Sequence, residues 1–188
     1  IGLYFGVLLT LSAQHMSPVV SLPNGWKLSP AGKSFALGDL PLNMAVSHSK
    51  KFIAVTNNGV SAHSIMLIDV KSARVIDSTI IPKAWYGLTF SASDQFLYAA
   101  AGHDNKIVKY EIAQNKLVKK SEIILGAGWP NRIAPAGLTF DAKRQKLYVV
   151  TRDNRSLYVI DAKTEKIEKQ YGLDGEAYMS VMSADSKE

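Results

Sequence analysis

The sequence lacks the residues and spacings that carry most enzymatic chemistry. It contains no cysteine, which excludes a disulfide framework and thiolate chemistry. Its four histidines stand apart, without the paired spacing that indicates a metal site. It also has no Gly-x-Ser-x-Gly, no phosphate-binding glycine loop, no dinucleotide fingerprint and no carboxylate pair suited to acid–base catalysis. We therefore predict no catalytic residue, no metal ligand and no cofactor in this segment.

A concentration of basic residues is also missing. Lysine and arginine number 22 against 16 aspartates and glutamates, for a formal net charge of +6, but they are scattered along the chain. There is no Arg-rich helix and no strand that interleaves basic and aromatic residues, so this surplus is not a nucleic-acid signature. We predict a solvated, lysine-rich surface and no nucleic-acid partner.

No apolar run is long enough to span a bilayer, so we predict no membrane span. The most apolar stretch is residues 1–13, which end in Ser12-Ala13 before the polar Gln14. This length and small-residue ending are typical of the apolar region and cleavage site of a secretory signal peptide. We predict an exported protein, periplasmic or extracellular, with residues 14–22 as a linker. The alternative is that residues 1–13 form a buried strand or helix.

The sequence does contain a repeated string. The clearest copy spans residues 136–151, where Leu138-Thr139-Phe140 is followed by Leu147-Tyr148-Val149. Similar strings stand at residues 87–100 and 43–56, and a fourth begins at residue 180. They recur every 40 to 50 residues or so, and a four-stranded propeller blade is about 40–45 residues long.

Each copy has the composition of four short strands. The string supplies the first two, the third is predicted at residues 65–69, 107–111 and 157–161, and the fourth at 75–81, 117–124 and 167–171. The middle strands are apolar almost throughout, which predicts that both of their faces are covered. We predict an all-β fold, a β-propeller of four-stranded antiparallel blades. A β-sandwich is the competing fold, but it gives no reason for a repeated four-strand unit.

The repeats also set the expected boundaries. We expect a partial propeller over residues 23–188, with blades at about residues 40–84, 85–134 and 135–178 and the start of another at about 179. Upstream we expect a hairpin in which residues 26–28 pair with residues 34–37 around Pro30-Ala31-Gly32. Because the sequence begins at Ile1 and ends inside a repeat, we expect a piece of a longer chain.

Blade topology sorts the loops onto two faces. Consecutive strands are antiparallel, so the loops between second and third strands emerge on the same face as the connections between blades. This face receives both later tryptophans, and we predict that it binds a protein partner or a small ligand. The candidate residues are Trp85, Tyr86, His103, Asp104, Trp129, Asn131, Arg132 and Arg152. The alternative for each is a role in a turn or in packing between blades.

The repeats resemble a known family. Residues 147–151 (LYVVT) and 53–59 (IAVTNNG), with the Ile-Asp endings at Asp69 and Asp161, are similar to the YVTN-type β-propeller repeat. Residues 22–26, 40–45, 85–88 and 128–137 resemble bacterial exported proteins in which such a propeller precedes an alkaline-phosphatase-superfamily phosphoesterase domain. The resemblance implies seven blades in the intact protein, with about half to two-thirds of the ring here. It carries over no catalytic residue, because the metal-binding residues of that family fall outside this segment.

The expected function is that of a non-catalytic binding or scaffold domain of an exported bacterial protein. The resemblance implies that a phosphoesterase domain follows it in the intact protein. The alternative is a propeller enzyme, lactonase-like or quinoprotein-like, with its site at the channel mouth. That alternative needs a cluster of metal-ligating side chains at the mouth. Only Asn58, His103, Asp104 and Asp153 offer themselves for it.

Overall fold

The computed structural model describes residues 19–29 and 36–183. The predicted signal segment, residues 1–13, lies outside the described residues, as does most of the predicted linker. The chain divides into two compact units, Ile1–Phe35 and Ala36–Glu188, and each is described by itself.

The first unit contains a short antiparallel hairpin, β1 (Val20–Ser21) and β2 (Lys27–Leu28). Its turn includes Gly25 at a φ of 82°, a conformation that glycine adopts without strain. The partner of β2 therefore stands upstream, inside the stretch predicted as a linker, because the turn at residues 23–25 closes a tighter hairpin than the expected one. The expected partner, residues 34–37, lies partly outside the described residues.

The second unit contains three four-stranded antiparallel sheets, and in each the spatial order of the strands follows the chain. Sheet 1 comprises β3 (Pro41–Val46), β4 (Phe52–Asn57), β5 (Ser64–Asp69) and β6 (Arg74–Ile80). Sheet 2 comprises β7 (Leu88–Phe90), β8 (Phe96–Ala100), β9 (Lys106–Ala113) and β10 (Lys116–Ile124). Sheet 3 comprises β11 (Pro135–Asp141), β12 (Lys146–Thr151), β13 (Ser156–Asp161) and β14 (Ile167–Gly172). The predicted all-β fold of four-stranded antiparallel blades is confirmed.

Sheet 2 is packed on both of its faces. Side chains alternate along β8, so Leu97 and Ala99 join a buried cluster with Ile65 and Leu67 of sheet 1. Tyr98 and Ala100 point the other way and join a second buried cluster with residues of sheet 3. The apolar character of the middle strands of sheet 2 is thus explained, because each of their two faces packs against a neighbouring sheet.

The fourth strands lie at the outside. All six residues of β14 are exposed, and every residue of β6 is exposed or half-buried. Charged side chains suit such an edge because they oppose pairing with another strand.

Polar contacts join neighbouring sheets at their rims. Asp94, before β8, accepts hydrogen bonds of 2.7 Å from the backbone amides of both His48 and Ser49. Asp77 in β6 accepts one of 2.7 Å from the amide of Leu117 in β10. Sheets 1 and 2 are therefore tied to each other by carboxylates as well as by apolar packing.

Among the described residues, no helix is long and apolar enough to cross a membrane.

Candidate functional site

Three connections meet around a cavity of about 140 Å³ in the second unit. They are the β6–β7 connection, the β8–β9 loop and the β10–β11 connection, and the β4–β5 and β12–β13 loops border them. We call this surface the loop face and the space the loop-face cavity. Its wall consists of His63, Lys83, Ala84, Trp85, Gly102, His103, Ala134 and Arg152.

The β8–β9 loop is shaped by a single turn of 3-10 helix, Gly102–Asp104. Gly102 has a φ of 44°, and a Cβ added there would lie 2.9 Å from the carbonyl oxygen of Lys83. Only glycine allows this approach without displacing the neighbouring backbone. The backbone amide of Trp85 also donates to the carbonyl of Ala100, at 3.1 Å. The two connections are thereby held together, and His103 is placed in the same wall as Trp85.

Asn105 ends this turn and is fully buried, in a left-handed conformation with a φ of 51°. Its side-chain nitrogen donates to the carbonyls of Ala127 (2.7 Å) and Asn131 (2.8 Å). Its side-chain oxygen accepts from the amides of Ile133 (3.1 Å) and Ala134 (3.0 Å). One buried side chain therefore fixes both ends of the loop in the β10–β11 connection that carries Trp129.

Arg152 and His103 share one carboxylate. Arg152 Nε donates to Asp153 Oδ1 at 2.6 Å, and His103 Nε2 lies 3.4 Å from Asp153 Oδ2. The hydrogen bond from Arg152 lowers the pKa of Asp153 below its usual range, His103 adds to this, and partial burial opposes it. The guanidinium of Arg152 lies 5.9 Å from the centre of the Trp85 ring. Arg152 is thus anchored on one side by a charge and on the other by an aromatic ring.

Lys83 is held by the second carboxylate of the loop face. Its ammonium lies 2.9 Å from Asp104 Oδ1, and Lys106 approaches Asp104 Oδ2 at 3.9 Å. Lys83 is among the residues that line the cavity and Asp104 is not, so the cationic member of this pair is the one that borders the cavity.

Trp129 stands beside the cavity and is 61% exposed. The Arg132 guanidinium lies 5.1 Å from its ring centre, and His103 approaches edge-on at a ring separation of 6.4 Å. An exposed tryptophan on a loop fixed by buried hydrogen bonds is a feature of binding surfaces, where such residues supply a large share of the affinity.

The structure places the predicted candidate residues on this surface in different roles. Trp85, His103 and Arg152 line the cavity, and Asp104 holds Lys83. Trp129 lies next to His103, and Arg132 lies over the Trp129 ring. Tyr86 and Asn131 take part through their carbonyls, which accept from Asn43 (2.7 Å) and from Asn105.

Neither His63 nor Asn105 is among the predicted candidate residues. Neither belongs to a motif, but each lies in a loop between second and third strands, which blade topology assigns to this face. Loop position was therefore the signal that could have found them.

The four residues named for the enzymatic alternative do not come together at one point, although His103 and Asp153 contact each other. The Asn58 side chain donates to the carbonyl of Ala84, Asp104 pairs with Lys83, and Asp153 pairs with Arg152 and His103. Within residues 19–29 and 36–183, no group of three or more His, Asp or Glu side chains is arranged to hold a metal ion.

Comparison with known proteins addresses the fold. No protein-family model matches the sequence, and a search of curated proteins gave no significant match. Among solved structures, hydrazine synthase of Kuenenia stuttgartiensis is similar at a TM-score of 0.67 and 17% identity, over 84% of this chain and 44% of that one. A functionally unknown protein from Desulfotomaculum acetoxidans has a TM-score of 0.67 and 15% identity, over 89% of this chain and 52% of that one. The WD40 repeats of RRP9 have a TM-score of 0.59 and 17% identity, over 79% of this chain and 44% of that one.

The chain spans about half the length of the solved structures that it matches, 44% and 52% for the first two. The likeness to WD40 repeats agrees with three sheets that follow one another along the chain and pack face to face. The structure is therefore a β-propeller-like fold. At these identities the likeness concerns the fold alone.

Proposed function

We propose that this chain is a non-catalytic binding domain of an exported bacterial protein, and that its loop face recognises a protein partner. The observation that carries the proposal is the exposed Trp129–Arg132 pair on a loop that buried Asn105 holds at both ends. Tryptophan and arginine are the residues most enriched at energetic hot spots of interfaces. A loop fixed before binding loses little conformational entropy when the complex forms.

The remainder of the proposal comes from the sequence. Residues 1–13 support export, because their apolar length and Ser-Ala ending are those of a signal peptide. The resemblance to exported propeller–phosphoesterase proteins supports a downstream phosphoesterase domain and a seven-bladed ring. In this arrangement the propeller binds and the attached domain performs the chemistry.

Site-specific crosslinking in cells tests the binding face. The photoreactive residue p-benzoylphenylalanine is placed at Trp129, and in a matched variant at Val118, which is also exposed and apolar but lies on the outer strand β10. We expect one recurrent adduct from position 129 that position 118 does not give, and that Arg132→Ala diminishes. The same adducts from both positions, or none from either, would contradict the proposed face.

The proposed phosphoesterase is tested separately with the intact protein. We expect hydrolysis of p-nitrophenyl phosphate that Trp129→Ala leaves unchanged, because the propeller takes no part in the chemistry. Loss of hydrolysis in a folded Trp129→Ala variant would contradict a purely binding role. No hydrolysis by the intact protein would remove the phosphoesterase from the proposal and leave the binding face standing.

A further inference from the structure

The wall of the loop-face cavity carries charge of one sign. Two cationic side chains, Lys83 and Arg152, and two histidines, His63 and His103, stand in it, whereas none of its lining residues is a carboxylate. Each cation is held from outside the wall, Lys83 by Asp104 and Arg152 by Asp153. These ion pairs fix where the cations stand and offset part of their charge, and the residues of the wall supply N–H donors.

The remainder of the wall is apolar and fits a flat molecule. Ala84 and Ala134 are buried residues with one methyl group each, and the Trp85 ring supplies a flat surface. The volume is about 140 Å³, and an apolar cavity of about 150 Å³ is large enough for benzene. An inorganic anion alone would leave these apolar walls without a matching surface.

His63 adds a donor or acceptor that has no partner. Its Nδ1 is buried and makes no hydrogen bond within the described part of the chain. A buried polar atom without a partner is costly, and such atoms in native proteins call for an explanation. His63 lines the cavity, and a rotation of its side chain that exposed Nδ1 to a ligand oxygen would remove the cost. Arg152 uses Nε for Asp153 and also hydrogen-bonds to Tyr178, and the rest of its five guanidinium N–H groups are the donors it has for a ligand.

We propose that the loop-face cavity binds a small planar organic carboxylate. Its carboxylate group lies near Arg152 and Lys83, and its apolar body packs between Trp85 and the two alanines. The proposal deepens the proposed binding function of the loop face, since it names a ligand class for the same surface.

Calorimetric titration of the intact protein with benzoate tests the proposal, with benzyl alcohol as a neutral probe of similar shape and inorganic phosphate as an anion without an apolar body. We expect benzoate to bind and benzyl alcohol to bind about tenfold more weakly, because charge-assisted hydrogen bonds are lost. Phosphate is expected not to displace benzoate. Equal binding of benzoate and benzyl alcohol, or displacement of benzoate by phosphate at equal concentration, overturns the assignment.

Two variants locate the bound carboxylate. Arg152→Gln should weaken benzoate binding about tenfold, whereas Arg155→Gln, which removes the same charge from the same turn but lies outside the wall, should leave it unchanged. If Arg152→Gln fails to melt cooperatively, Lys83→Gln takes its place, and it should also weaken benzoate binding. Equal effects of Arg152→Gln and Arg155→Gln would mean that benzoate responds to general charge, which overturns the site.

The carboxylate site and the proposed partner face can fail separately. Benzoate binding without a specific adduct from position 129 supports the cavity and contradicts the protein-binding face. A specific adduct without benzoate binding supports the protein-binding face and contradicts the carboxylate site.

Discussion

At the scale of single residues, Asn105 does the most to organise the loop face. It is buried, adopts a left-handed φ of 51° and makes four side-chain hydrogen bonds to backbone groups of one loop. Asparagine suits this position for two reasons, because it tolerates the left-handed region and offers both donors and acceptors. No shorter or apolar side chain meets both requirements.

Replacing Asn105 with alanine should lower the free energy of unfolding by about 3–5 kcal/mol, because buried backbone groups lose their partners. Asn115→Ala is the matched control, since Asn115 is also left-handed, with a φ of 62°, but is exposed in the β9–β10 turn. It should lose only about 1 kcal/mol, through backbone strain. Denaturant unfolding measures both, and equal losses would show that the hydrogen bonds of Asn105 contribute nothing.

The Asp153 carboxylate should make the loop face sensitive to acid. Arg152 lowers the pKa of Asp153 in the folded state, so this group adds stability above its unfolded pKa of about 4. That contribution is lost as the pH falls below about 4 towards the lowered pKa. Asp153→Asn should therefore be less stable than the wild type at neutral pH, and the difference should narrow towards about pH 2. Urea unfolding across this range measures it, and a difference that stayed constant would contradict the role of the charge.

At the scale of elements, the strands were predictable and the contacts between loops were not. Alternation and apolar runs mark β8, β9 and β12, because a strand with two covered faces must be apolar throughout. β2 pairs with β1 upstream and not with residues 34–37 as expected. Turn-forming residues stand on both sides of β2, and the sequence alone does not show which turn closes the hairpin. The spacing of apolar residues along a short stretch depends on the structure of that same stretch, so the positions of the strands follow from it with little ambiguity.

The candidate site was only partly predictable for the same reason. Blade topology brought Trp85, His103 and Arg152 to one face, and the structure places all three around one cavity. The tether from Asn105 to residues 127–134 joins positions more than 20 apart and follows no period. Likewise, nothing in the neighbours of His63 along the chain marks it as a cavity residue.

Sheets 1 and 2 are joined at the rim by Asp94, whose side chain is only 10% exposed. Asp94→Asn keeps a residue that tolerates its φ of 59° but removes the charge that accepts two backbone amides. We expect a loss of about 2 kcal/mol in unfolding free energy. Asp174→Asn, at an exposed position, should be nearly neutral, and a similar loss in both variants would indicate a general effect of charge.

At the scale of the whole molecule, the three sheets differ in how much of their surface is covered. Sheet 2 has a buried cluster on each face, whereas Met44 and Val46 of sheet 1 are 65% and 52% exposed. Two apolar side chains on the same side of a strand form a surface that another sheet can cover.

The 188-residue polypeptide by itself should therefore associate as its concentration rises. Replacing both Met44 and Val46 with lysine should reduce this association, whereas Val60→Lys, at a fully exposed loop position, should not. Sedimentation velocity over a range of concentrations measures the effect. A wild-type polypeptide that remains a monodisperse monomer and melts in one cooperative transition would contradict it.

The order of the strands in each sheet also bears on how the chain folds while it is being made. All four strands of sheet 1 lie within residues 41–80, so they leave the ribosome before the strands of sheet 2 do. Ribosomes add about 5–20 residues per second, whereas a hairpin forms in about 1–10 μs. Each blade therefore has time on the order of seconds to fold before the whole of the next blade has left the ribosome. The apolar face that it then exposes is the surface on which the next blade packs.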